Sequence, residues 1–174
     1  RGYIAGAGTQ TAALGFGGYS AGSGSVNNTE EYDGSSWTSG GNLLLGRNNM
    51  GGCGTQTAGL GFGGAPPNSD QSLEYDGSSW TAGNSLNVAK QAARGAGTQT
   101  AGLSMGGSPT DLPSTTEEYN GTSWSTGTNL NANRNNAAGN GIQTAAFLAQ
   151  GNAGHPGNPN DAGAENYDGT SWRS

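Results

Sequence analysis

Leucine, isoleucine, valine and phenylalanine together supply only 18 of the 174 residues, and no run of eighteen apolar residues occurs anywhere. The missing run excludes a helix that spans a membrane. So low an apolar content points to disorder when it comes with high net charge. Here six basic and twelve acidic residues leave a net charge of only −6, which predicts a thin core rather than none. Cysteine occurs once, so Cys53 has no internal disulfide partner. Set among glycines, it is expected to be a small buried apolar residue. One histidine and one cysteine cannot build a His/Cys metal site. The few, scattered basic residues exclude the basic face that nucleic-acid binding needs. No signal peptide is expected within these residues. A first residue of Arg1 rather than Met fits either a processed start or a piece of a longer chain.

What is abundant is glycine, with 35 residues, and it falls into a pattern. The string Tyr-(Asp/Asn)-Gly-(Ser/Thr)-Ser-Trp occurs four times, from Tyr32 to Trp37, Tyr75 to Trp80, Tyr119 to Trp124 and Tyr167 to Trp172. Gly-Thr-Gln-Thr-Ala starts at Gly8, Gly54 and Gly97, and is altered to Gly-Ile-Gln-Thr-Ala at Gly141. A glycine pair follows: Gly17 with Gly18, Gly63 with Gly64, and Gly106 with Gly107. In the last copy Gln150 precedes Gly151, so one glycine of the pair is kept. A basic residue opens each unit: Arg1, Arg47, Lys90 and Arg134. That residue precedes the glycine pair by sixteen positions in all four units, and each Trp precedes the next basic residue by ten. All the length variation lies between the pair and the Tyr, where the spacing is 14, 11, 12 and 16. Constant spacing marks packed structure and variable spacing an exposed loop. The units are therefore 1–46, 47–89, 90–133 and 134–174.

Each unit reads as four strands. A short first strand of small residues ends at a Gly-Thr turn. The second alternates: Ala12, Leu14 and Phe16 on one face, Thr11, Ala13 and Gly15 on the other. The large face recurs as Ala58, Leu60 and Phe62, as Ala101, Leu103 and Met105, and as Ala145, Phe147 and Ala149; only Leu148 breaks the small face. Large face against small face predicts sheets stacked around a ring. The third strand ends at Tyr32, Asp33-Gly34 signals a hairpin, and Trp37 begins the fourth. A Leu six residues after each Trp (Leu43, Leu86, Leu130) adds apolar area, and the large aromatics compensate for the missing Ile and Val.

A basic residue, a Gly-Gly after an apolar strand, Glu-Tyr-Asp and then Trp, in units near 45 residues, resemble the kelch motif across the whole chain. Unit 3 departs at Asn120, which stands for Asp; unit 4 departs at Gln150, for Gly, and Asn166, for Glu. The resemblance implies an all-β fold, a kelch-like β-propeller of four four-stranded blades. The ring is closed by the four units alone, completed by another chain such as a second copy, or part of a larger propeller. The wording of the repeats is also similar to repeat proteins of marine bacteriophages, of virions or tails, which implies an appendage or host-contact role, in a virion or at a cell surface.

No catalytic constellation, cofactor site or metal site is expected. The kelch resemblance includes copper oxidases, whose ligand set this chain lacks. The Glu beside each Tyr (Glu31, Glu74, Glu118) is expected to pair with a unit-opening basic residue. The variable loops all join strand two to strand three and so emerge on one side of the ring. They carry the candidate binding residues Tyr19, Asn27, Asn28, Asn68, Asp70, Asp111, His155, Asn158, Asn160 and Asp161. The expected role is non-enzymatic binding or scaffolding through protein partners in an assembly. Lectin-like binding of a host-surface glycan, or glycan hydrolysis by two carboxylates from different blades, are the alternatives.

Overall fold

The alternation read from the sequence is what builds the sheets. A computed structural model describes residues 1–108, 114–152 and 163–174. Four antiparallel four-stranded sheets are arranged as a four-blade β-propeller, and no helix occurs among the described residues. Blade 1 holds β1 (Ala5–Thr9), β2 (Ala12–Phe16), β5 (Thr29–Tyr32) and β6 (Trp37–Ser39). A two-stranded ribbon, β3 (Tyr19–Ser20) and β4 (Gly24–Ser25), decorates its variable loop. Blade 2 is β7 (Gly51–Thr55), β8 (Ala58–Phe62), β9 (Ser72–Tyr75) and β10 (Trp80–Ala82). Blade 3 is β11 (Arg94–Gly97), β12 (Gly102–Met105), β13 (Thr116–Tyr119) and β14 (Trp124–Thr126). Blade 4 is β15 (Ala138–Ile142), β16 (Ala145–Ala149), β17 (Ala164–Tyr167) and β18 (Trp172–Arg173). The first strand starts a few residues later than its glycine content suggested. It runs through Gly8-Thr9, and the turn falls on Gln10-Thr11.

Local chemistry closes each blade. In the outer hairpin, Asp33 Oδ1 accepts from the Ser35 and Ser36 amides at 2.8 Å, while Gly34 takes φ 96°. These bonds, led by that of Ser36, hold the Asp33 carboxyl down at about 2. Asp76 is held the same way, its Ser79 amide bond leading.

The glycine pair ends the second strand at the other end of the blade, in a region of backbone space that favours glycine. Gly17 and Gly18 take φ 64° and 109°, Gly63 and Gly64 66° and 101°, and Gly106 and Gly107 63° and 102°. Unit 4 keeps the second of these as Gly151, at φ 103°. Gln150, at the Gly17 position, is bent to φ 57° all the same. The second glycine is kept in all four units, and the chain passes close to both: a Cβ on Gly17 would lie 2.5 Å from Arg47 O and one on Gly63 2.6 Å from Lys90 O. A Cβ on Gly64 would lie 2.7 Å from Met50 Cγ and 3.0 Å from Asn48 O. One on Gly107 would lie 2.8 Å from Gln91 O, and one on Gly151 2.9 Å from Asn135 O.

The core lies between blades, not within one. Three separate clusters fill the joints. Leu14, Phe16, Leu43, Met50, Tyr75 and Trp80 lie between blades 1 and 2. Leu60, Phe62, Leu86, Tyr119 and Trp124 lie between blades 2 and 3. Leu103, Met105, Leu130, Leu148, Tyr167 and Trp172 lie between blades 3 and 4. The packing is large face on small face, as the alternation requires. A Cβ added to Gly59 would lie 2.8 Å from Leu14 Cδ2, and one on Gly102 2.6 Å from Leu60 Cδ2. Leu148, the exception on the small face, is buried against blade 3 beside Met105.

Polar joints repeat with the same regularity. The turn glutamine of one blade reaches the blade before it: Gln56 Nε2 donates to Ala13 O (3.1 Å) and Tyr32 O (2.8 Å). Gln99 does so to Gly59 O and Tyr75 O, and Gln143 to Gly102 O and Tyr119 O. Tyr75, Tyr119 and Tyr167 donate their hydroxyls at 2.5 Å to Glu31, Glu74 and Glu118. This corrects the expected pairing of those glutamates with basic residues. The carboxylate that pairs with the basic residue stands one position earlier: Arg1–Glu30 at 2.7 Å, Lys90–Glu117 at 2.9 Å and Arg134–Glu165 at 3.0 Å. In unit 2 Leu73 occupies that place, and the buried Arg47 donates to Gln71 instead (2.9 Å).

Burial first, and then the bond to Glu31, pushes the Tyr75 hydroxyl up to about 12; Tyr119 and Tyr167 are pushed up by the same causes. An unfolded tyrosine ionises near about 10, so the folded state holds these protons longer than the unfolded state does. Stability is then fully present below pH 10 and is lost as pH rises from there through the folded values. Urea unfolding between pH 8 and 11.5 should show that loss, and the triple Tyr75→Phe, Tyr119→Phe, Tyr167→Phe chain should lack most of it.

Candidate binding face

The variable loops leave the frame at four equivalent points. Residues after the glycine pair bridge to residues after the opening basic residue: Tyr19 to Gly2, Ala65 to Asn48, Ser108 to Gln91 and Asn152 to Asn135. The loops therefore share one side of the propeller, the side where the first strands begin. Tyr19, Asn27, Asn28 and Asp70 are exposed on it and Asn68 is half-buried. Some of these also serve the frame. Asn28 O accepts from Gly17 N, Asn27 O from Leu43 N, and Asp70 O from Leu86 N. Asp111, His155, Asn158, Asn160 and Asp161 lie outside the described residues.

On the same side a run of backbone bonds steps around the axis. Tyr3, Asn49, Ala92 and Asn136, each two residues past the opening basic residue, all take φ between 51° and 57°. This conformation is costly for a side-chain-bearing residue. Here it aims each N–H at the previous blade: Asn49 N to Tyr3 O (3.1 Å), Ala92 N to Asn49 O (2.8 Å) and Asn136 N to Ala92 O (3.1 Å).

Below this mouth lies an axial cavity of about 430 Å³. The first strands of all four blades line it, mostly with glycine, alanine and main chain. Its one charged lining residue is Arg94, which stands where the other units carry Ala5, Gly51 and Ala138. The half-buried guanidinium donates through Nε to Ala137 O, and no carboxylate among the described residues pairs with it. Burial disfavours its charge. Sequence reasoning missed Arg94, although the break in an otherwise small-residue position was visible. The cavity can offer hydrogen bonds from main chain and attraction to an anion, but no pair of carboxylates among its lining residues.

Cys53 also borders this cavity, yet it is buried, its Sγ lies 3.7 Å from Thr98 O, and burial pushes its thiol up to about 12. The thiolate is the reactive form. Native protein should leave Ellman's reagent unreacted over hours, with one equivalent released on unfolding.

The fold defines the class, a four-blade β-propeller, and the loop-side mouth around its axis is the candidate binding face. No protein-family model matches the chain, and no curated protein matches it.

Proposed function

We propose that the chain is a non-enzymatic kelch-type propeller module for binding and scaffolding, serving attachment or assembly in a virion appendage or at an extracellular surface. The observation that carries this reading is the division of polar groups. The carboxylates and cations at the joints are engaged in holding strands and blades together. The loop side presents a rim of amides around a cavity whose single guanidinium has no ion partner among the described residues. Such a face suits recognition through hydrogen bonds. Arg94 favours a second reading, lectin-like binding of a host-surface glycan that bears a carboxylate.

A binding screen against glycans and surface extracts tests both. Ligand capture that Arg94→Ala, Asn68→Ala or Asp70→Ala weakens supports a loop-side site. Capture untouched by all three moves the site elsewhere. Release of reducing sugar would replace binding with hydrolysis and end the non-enzymatic reading.

A further inference from the structure

Three joints of the propeller follow one specification, and the place ahead of blade 1 holds half of a fourth. Each of blades 2, 3 and 4 presents on its leading face a turn glutamine, a tyrosine hydroxyl, a tryptophan and an N–H at the mouth. Blade 1 carries the same set as Gln10, Tyr32, Trp37 and the Tyr3 amide. None of these four groups has a hydrogen-bond partner across a joint among the described residues. Gln10 is exposed where Gln56, Gln99 and Gln143 are half-buried. Trp37 is 55 % exposed, against 4 % for Trp80. First strands pack β1 on β7, β7 on β11 and β11 on β15, but β15 does not pack on β1 in that way.

Blade 4 does not supply the missing half. Its main chain keeps the glutamine acceptors, Ala146 O and Tyr167 O, beside an open cavity of about 600 Å³. Its side chains do not follow. Trp80 and Trp172 donate to Thr29 and Thr116, but the equivalent residue in unit 4 is Ala164. Asn166 stands where Glu31, Glu74 and Glu118 receive tyrosine hydroxyls, and is one methylene shorter. Ala149 stands where Phe16, at 4.7 Å from the Trp80 ring, and Phe62, at 5.1 Å from the Trp124 ring, meet the incoming tryptophan. Phe147, 45 % exposed, replaces the buried Leu14, Leu60 and Leu103.

One further detail specifies the partner. Glu117 accepts from Asn87 N (2.7 Å) and Nδ2 (3.0 Å), and Glu165 from Asn131 in the same way; each Asn follows the Leu of the preceding unit. Unit 1 has Leu44 there, and it precedes the unit that carries Leu73. Glu30 pairs with Arg1 but keeps 42 % of its side chain exposed, with no such Asn upon it.

We propose that the leading face of blade 1 is a docking surface for one further blade of the same repeat, from outside these 174 residues. That blade bears Thr, Glu and Phe or Met at the receiving positions and Leu-Asn after its Trp, like unit 3. It is not blade 4 of this chain or of a second copy. The inference extends the binding and scaffolding reading by naming the partner.

The test tethers such a blade, so that docking does not depend on concentration. A copy of residues 90–133 is fused directly ahead of Arg1 on the whole chain, which restores the ten-residue spacing from Trp to basic residue. Trp37 oxidation by N-bromosuccinimide is followed by peptide mass spectrometry. In the fused chain it should slow about tenfold or more, because Trp37 is then reached only when the joint opens. Gln10→Ala with Tyr32→Phe should restore most of the reactivity of the unfused chain. Both residues lie on the open face, so these changes leave the other joints alone. A fused chain whose Trp37 oxidises at the unfused rate overturns the proposal, as does protection that survives the double substitution. An unfused chain found as a dimer with Trp37 already protected also overturns it, since blade 4 would then be the partner. Loop-side ligand capture by a fused chain whose Trp37 stays unprotected would sink this inference alone and leave the proposed function standing.

Discussion

Replacing Trp80 by alanine is expected to cost about 3–5 kcal/mol in urea-induced unfolding, while Trp37→Ala is expected to cost under about 1 kcal/mol. The two residues have the same type, the same repeat position and the same strand, so the difference isolates the joint. Trp80 is 4 % exposed, its ring lies 4.7 Å from Phe16 of blade 1 and 5.0 Å from Tyr75, and its Nε1 donates to Thr29 at 2.9 Å. Truncation would open a cavity between two blades and strand a buried hydroxyl. Trp37 keeps only the intrablade half of that environment, the Tyr32 ring at 5.1 Å. A small loss at Trp80 would mean that the joints contribute little to stability. A large loss at Trp37 would mean that its face is covered in solution, against the open edge described above.

The contrast between those two tryptophans also shows where sequence reading stops. The repeat spacing placed the blades, the alternation placed large faces on small, and Asp33-Gly34 placed the outer hairpin. The glycine pairs marked the strand ends, and Gly151 alone was enough to keep that turn in unit 4. All of these are local or periodic properties. The partner of Glu31 was not legible, because two adjacent carboxylates, Glu30 and Glu31, point to opposite sides of one strand. One turns to Arg1 and the other to the tyrosine of the next blade. Position in the ring was hidden for a similar reason. Trp37 and Trp80 are indistinguishable within the repeat, and only the presence or absence of a preceding blade separates them. Of the loop candidates, Tyr19, Asn27, Asn28, Asn68 and Asp70 do share one side. Arg94 escaped notice because a search for repeating residues passes over the one position where a unit departs from its neighbours.

Breaking the buried Glu117–Lys90 and Glu165–Arg134 ion pairs should give losses of similar size but a different response to pH. Glu117 and Lys90 are both 1 % exposed, as Glu165 and Arg134 are 0 % and 3 % exposed. Each glutamate also accepts two bonds from an Asn of the preceding unit. Glu117→Gln and Glu165→Gln each remove the carboxylate that a buried cation meets at 2.9 to 3.0 Å, which should cost about 3–5 kcal/mol near pH 7. The cations then differ. Burial already pushes the Lys90 ammonium down, with Glu117 opposing it. Without Glu117, Lys90 sheds its proton in the folded state while the unfolded lysine keeps one up to about 10.4. The unfolded chain then binds more protons, so unfolding free energy rises with pH across that window, and the Glu117→Gln deficit shrinks between pH 7 and 10. Arg134 has no such escape, since a guanidinium does not deprotonate in proteins; it keeps its charge, held by Gln150 O and Gly163 O at 2.9 and 3.0 Å. The Glu165→Gln deficit should therefore stay constant relative to the unsubstituted chain at each pH, a comparison that also cancels the alkaline loss from the tyrosines. Parallel deficits for both variants from pH 7 to 10 would mean that Lys90 remains charged in the joint, held by groups other than Glu117.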